Sequence, residues 1–105
     1  VKDQMIISDG YNGTPSGFSN DCEDQNGNTQ WFVLHAEANA LTKLAKSTQS
    51  AKGATLYLTL SPCRECCKLI IQSGIKRIFY RDTYRDATGL IILKESGVSV
   101  NKLDY

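Results

Sequence analysis

Apolar positions along the chain change period several times, and those changes divide it into elements. Residues 5–8 (Met-Ile-Ile-Ser) read as a short buried strand closed by Gly10. Residues 11–30 mix glycine, asparagine, aspartate, serine and a proline with little periodicity. That predicts a long loop, and long loops in compact domains are often functional. From His35, the positions Ala38, Leu41, Leu44 and Ala45 recur at helical spacing, and this helix should fade through residues 47–50 and stop by Gly53. Residues 54–60 alternate and are β-rich, which predicts a central strand. Pro62 opens a second helix, since proline is tolerated in a first turn. It carries Cys67, Leu69, Ile70 and Ile71 and ends at Ser73 and Gly74, where glycine can form a left-handed cap. Residues 76–80 form the next strand, residues 87–96 a third helix stopped by Gly97, and residues 98–101 a last strand. The order β, loop, α, β, α, β, α, β implies an α/β sheet with helices packed on its faces.

Size and charge narrow the function classes. A chain of 105 residues forms a single domain, 1–105, that buries roughly two-thirds of its unfolded surface without disulfide staples. Twelve Lys and Arg stand against eleven Asp and Glu, a balance that argues against a nucleic-acid platform. No apolar run is long enough to span a membrane. Three of the four cysteines (Cys63, Cys66 and Cys67) crowd into one segment, poor geometry for mutual bridging and good geometry for metal. That usage favours a reducing, cytoplasmic setting. Residues 1–8 read as the tail of one strand turning into the next, so an amino-terminal piece is expected to be missing ahead of Val1.

The chemistry concentrates in His35-Ala36-Glu37 and in Ser61-Pro62-Cys63-Arg64-Glu65-Cys66. Zinc prefers tetrahedral nitrogen and sulfur ligands, and a catalytic site keeps one position for water. His35, Cys63 and Cys66 supply three ligands and leave that fourth position. The two-residue gap lets a first helical turn aim both sulfurs at one point, and exposed N–H groups at a helix start favour thiolate over thiol. His35 and Glu37 can both reach forward only if they sit at a helix entry, which places the metal between the starts of two helices. Glu37, a carboxylate beside that water, is suited to take its proton and pass it on. A purely structural zinc clip would need a fourth protein ligand, Cys22 or Cys67. Cys67 should point about 100° away from Cys66 into the core, while Cys22 stays open in its loop.

His-x-Glu followed by Pro-Cys-x-x-Cys resembles the zinc nucleobase deaminases. Residues 6–17 (Ile-Ile-Ser-Asp-Gly-Tyr-Asn-Gly-Thr-Pro-Ser-Gly), 35–40 (His-Ala-Glu-Ala-Asn-Ala), 60–66 (Leu-Ser-Pro-Cys-Arg-Glu-Cys) and 71–76 (Ile-Gln-Ser-Gly-Ile-Lys) are similar to the deoxycytidylate branch of the cytidine-deaminase superfamily. The Gly-Tyr-Asn-Gly-x-Pro-x-Gly run points to that branch. The resemblance implies a three-layer α/β/α sandwich with a mixed central sheet, one catalytic Zn2+ per subunit, and a homo-oligomer, hexamer or dimer. It implies hydrolysis of dCMP to dUMP and ammonia, feeding thymidylate synthesis, with dCTP and Mg2+ as activator and dTTP as inhibitor. By the same resemblance His35, Cys63 and Cys66 match the zinc ligands, Glu37 the proton shuttle, and Asn12, Ser61 and Tyr84 the substrate contacts. Arg64, Arg81 and Arg85 are candidates for the 5′-phosphate, and Trp31 and Phe32 should pack the loop onto the following helix. Relatives begin with a further helix and the leading half of the first strand, both missing here. The loop over residues 19–30 is short compared with relatives that carry an additional zinc there, so a second zinc is not expected. The rival readings are a deaminase of free cytidine or of transfer-RNA adenosine, or a zinc and nucleotide-binding protein without turnover. A non-catalytic protein has no need of Glu37.

Overall fold

Helices and strands alternate as the periodicity predicts. The computed structural model describes residues 1–19 and 21–104. Their order is α1 (Ala36–Ala45), β1 (Thr55–Leu60), α2 (Arg64–Ser73), β2 (Arg77–Asp82), α3 (Thr88–Glu95) and β3 (Ser99–Lys102). The strands form a parallel sheet in the order β1-β2-β3, with Thr55 opposite Arg77 and Arg77 opposite Ser99. Parallel neighbours need a crossover connection, which α2 and α3 supply. Gly74 ends α2 at φ 84°, a left-handed cap that residues with a Cβ rarely adopt.

Burial explains why the helices lie where they do. Cys67 and Ile70 of α2, Leu90 and Leu93 of α3, and Ile78 and Tyr80 of β2 form one apolar cluster, joined by Leu41 and Leu44 of α1 and by Leu56, Leu58 and Val100. Ile70, Ile78 and Leu93 are fully buried, each contributing about 1.5–3 kcal/mol by leaving water. Because strand side chains alternate, the residues between these point the other way. Tyr57 and Phe79 stack there with ring centroids 5.2 Å apart, and Tyr57 remains exposed. All three helices therefore share one face of the sheet.

The α/β class holds, and several details differ from expectation. Among the described residues the sheet is parallel rather than mixed, and its helices make one layer rather than two. Residues 5–8 form no strand, and Met5 and Ile6 are exposed. Instead Lys2 and Met5 exchange backbone hydrogen bonds of 2.9 and 3.0 Å around Asp3 and Gln4, both at positive φ, a two-residue hairpin turn. The strand read as central, β1, is the first in the sheet order, and β2 holds the middle. Periodicity reports which face a strand buries, not how many neighbours it has. Pro62 lies ahead of α2 rather than in its first turn, because Cys63 is still extended (φ −72°, ψ 170°).

Candidate metal centre and active-site cavity

The first helix is held by the loop before it. Ser8 Oγ donates to the Ala40 carbonyl at 2.8 Å, and Asn39 Nδ2 donates to the Tyr11 carbonyl at 3.1 Å. Lys43 Nζ reaches the Asp9 carbonyl at 3.0 Å and its carboxylate at 3.3 Å. Gly10 lies so close that a Cβ there would fall 2.5 Å from the Ala36 carbonyl oxygen and 2.8 Å from the Ala40 nitrogen. Glycine is required at that crossing for room. Gly13 and Leu34 close the loop with a pair of backbone hydrogen bonds, 3.1 and 2.7 Å.

This strapping frees His35. It occupies the N-cap position of α1 without using its side chain as a cap. Helix starts leave unpaired N–H groups that a Ser, Thr, Asp or Asn at the N-cap usually satisfies. Here Asn12 acts from the loop instead, its Oδ1 accepting the Ala36 N–H at 2.9 Å. The imidazole turns toward α2, and Nδ1 lies 3.4 Å from both Cys63 Sγ and Cys66 Sγ. The ligand atoms of His35, Cys63 and Cys66 all fall within 4.8 Å of one another, and theirs is the cluster of metal-ligating side chains among the described residues. Tetrahedral zinc at ordinary bond lengths would hold nitrogen and sulfur about 3.6 Å apart. The donor set and its spacing fit zinc.

Electrostatics at the sulfurs departs from expectation. Burial, then the neighbouring Glu37 carboxylate and Cys63, push the Cys66 thiol far above its ordinary range. Cys67 is pushed up to about 11 by burial first, then by Cys63 and Glu37. The lowering expected from a helix start is outweighed at Cys66 because the side chain is almost wholly buried. A divalent cation supplies the charge that such a site needs to hold thiolates. Cys67 is core, as its helical angle predicts, and its Sγ donates to the Pro62 carbonyl at 3.8 Å. Cys22 is outside the cluster.

A cavity of about 490 Å³ opens beside the cluster, lined by His35, Glu37 and Cys63 together with Asn12, Ser61 and Tyr84. All three residues expected at the substrate thus reach the same space. Ser61 is buried, and its Oγ accepts the Tyr84 N–H at 2.6 Å, so it fixes the loop that carries the aromatic ring. The three arginines do not line the cavity. Arg64 Nε pairs with Asp86 at 3.1 Å, Arg81 Nε with Asp82 at 3.0 Å, and Arg85 stands 5.8 Å above the Tyr84 ring. Trp31 is 91% exposed and packs edge-on to Phe32 rather than onto α1, which corrects the expectation for it. The sequence reading missed Gly10, Thr29 and the Tyr57 to Leu60 stretch as cavity walls. Gly10 sat inside a legible motif; Thr29 carried no local signal.

Comparisons with known proteins agree with this geometry. Residues 1–82 match the model of the cytidine and deoxycytidylate deaminase zinc-binding region. The chain is 38% identical to the mouse deoxycytidylate deaminase over 112 residues, covering 95% of this chain and 62% of that protein. It is 35% identical to the deoxycytidylate deaminase of enterobacteria phage T4, covering 94% of this chain and 74% of that one. The crystal structure of the dCMP deaminase from cyanophage S-TIM5, in complex with dCMP and dUMP, superposes with a TM-score of 0.91 at 48% identity. It covers 98% of this chain and 76% of the cyanophage chain.

Proposed function

The chain belongs to the cytidine and deoxycytidylate deaminase family, and from that premise we propose that it hydrolyses dCMP to dUMP and ammonia. The observation that carries this reading is the convergence of His35, Cys63 and Cys66 beside a cavity that Glu37 lines. The chain spans 62% of the length of the mouse enzyme it matches, and residues 1–105 act as one deaminase domain.

His35 Nδ1 and the sulfurs of Cys63 and Cys66 would hold Zn2+. When bound, the ion supplies the Lewis acidity that makes water a nucleophile near neutral pH. Glu37 would take one proton from the attacking water and deliver it to the ring nitrogen as the C–O bond forms. It would then take the second proton from the new ring hydroxyl and deliver it to the amino nitrogen as the C–N bond breaks, leaving the carbonyl of dUMP and ammonia. Asn12 keeps its Oδ1 on the Ala36 N–H, leaving its Nδ2 group to donate to a sugar or phosphate oxygen. Ser61 and Tyr84 form the wall against the base. Arg64, Arg81 and Arg85 are the candidate cations for the 5′-phosphate, and Arg85 stands beside the cavity-lining Tyr84.

We further propose, on resemblance to the family, a homo-oligomer controlled by dCTP with Mg2+ and by dTTP, and, on the cysteine usage, a cytoplasmic location. No helix among the described residues is long and apolar enough to cross a membrane. Ammonia release on incubation with dCMP, cytidine, dCTP and an adenosine-containing RNA hairpin tests the substrate. Turnover confined to dCMP is expected, and release from the hairpin alone would refute it. Glu37→Gln should keep zinc while turnover falls by about 10²-fold or more. Unchanged turnover in that variant would remove Glu37 from the reaction.

A further inference from the structure

The turn that carries both sulfurs is gripped from outside by the connection leading into α3. Gly89, in the first turn of α3, has no positive φ to explain it. What it provides is room. A Cβ at Gly89 would lie 2.5 Å from Cys67 Sγ and 3.4 Å from both the Arg64 Cα and the Cys63 carbonyl carbon, the first far inside the ordinary 3.5–4.0 Å or so between non-bonded atoms. Three residues earlier, Asp86 spends one carboxylate oxygen on α3, accepting the Thr88 N–H at 3.1 Å and the Thr88 hydroxyl at 2.7 Å. Its other oxygen accepts Arg64 Nε at 3.1 Å. At the strand end, the Ser61 N–H donates to the Asp82 carbonyl at 2.8 Å, and Ser61 Oγ accepts the Tyr84 N–H. The segment from Ser61 to Cys67 is thus clasped at both its ends by residues 82–89.

We propose that Gly89 and Asp86 are positioning residues for the metal centre: close seating of α3 on the Cys63–Cys67 turn, with the Arg64–Asp86 pair, sets the separation and direction of the two sulfur donors. The inference rests on the zinc reading above. Neither residue belongs to the ligand cluster or lines the cavity. Each acts through the backbone of the turn, which must present Cys63 from an extended residue and Cys66 from a helical one.

The test compares the intact protein with Gly89→Ala, Cys67→Ala, the double variant and Asp86→Ala. Zinc affinity is measured by chelator competition, and the visible spectrum is recorded with cobalt in place of zinc. Gly89→Ala should weaken zinc binding by at least about tenfold and shift the sulfur-to-cobalt bands. Cys67→Ala removes the atom that the new methyl would strike, so the double variant should recover the parent affinity and spectrum. Asp86→Ala should weaken zinc severalfold. Folded Gly89→Ala with parental affinity and spectrum would overturn the proposal. If Gly89→Ala does not fold, Asp86→Ala decides alone, and unaltered zinc binding there overturns it equally. Failure of the parent protein to bind one zinc would instead bring down the metal reading itself, and this proposal with it.

Discussion

Asn12 and His35 divide a task that one residue usually performs: the loop residue caps the helix, and the N-cap residue is released to face the sulfurs. Asn12→Ala should therefore destabilise the protein by about 0.5–2 kcal/mol, read as a lower urea midpoint. Asn12→Asp keeps an acceptor for the Ala36 N–H and should retain most of that stability. Equal loss in both variants would mean that the cap is not what Asn12 contributes. At the other end of the cluster, Cys66→Ala removes one of three donors, and elemental analysis after dialysis should find zinc lost. Full occupancy would contradict the ligand assignment. The raised thiols of Cys66 and Cys67 also set a pH dependence. Their folded affinities for protons exceed those of unfolded thiols, which titrate near about 8.5. Below that pH both states hold the protons and no stability is lost. As pH rises from about 9 through about 11, where Cys67 titrates, the unfolded state ionises first and the metal-free fold loses stability. Denaturation midpoints of the zinc-free protein at pH 8 and pH 10 should differ in that direction, and a higher midpoint at pH 10 would reverse the assignment.

At the scale of elements, the site is built where two helices begin. His35 stands at the N-cap of α1 and Cys63 at the N-cap of α2, in the crevice where α/β sheets commonly bind ligands. Gly10 sets how closely the loop approaches α1, so Gly10→Ala should push the two apart. The expected cost is about 1–3 kcal/mol, with a loss of turnover as Asn12 leaves its place. A variant as stable and active as the parent would show that the crossing can relax. Much of this was legible in the sequence. The helical spacing from His35, the alternation in β1, the cap at Gly74 and the Cys-x-x-Cys gap are all local signals, and each of the six observed elements begins within about two residues of its expected place. What escaped depended on distant partners. Nothing in the residues around Asn12 says that its amide caps a helix beginning at residue 36, and Gly89 reads as an ordinary helical glycine until Cys67 lies beneath it. The apolar composition of residues 5–8 predicts a strand, but a strand needs a neighbour along its length, and among the described residues the run is paired at Met5 alone, with Lys2.

Across the whole molecule, cohesion is uneven, and the candidate centre lies on the seam. The core is built chiefly from α2, α3, β2 and the residues between them, while α1 has no buried residue. Leu41 and Leu44 pack against the core only partly buried. The remaining ties of α1 are the loop straps, which include an exposed Lys43–Asp9 pair of the kind worth about 0–1 kcal/mol, and the meeting of His35 with the two sulfurs of α2. A metal held there would cross-link the helix that has no buried residue to one that reaches into the core. Binding that favours the native state stabilises it by mass action, about 4 kcal/mol at a thousandfold excess over the dissociation constant. Because α1 has no buried residue, it should open first when that link is cut. Removal of zinc by a chelator should therefore speed amide hydrogen exchange in residues 36–45 well before it affects α2 or β2, and restoring zinc should reverse the change. Uniform acceleration across all helices would show instead that the metal supports the core as a whole, and no change in α1 would show that the straps alone hold it.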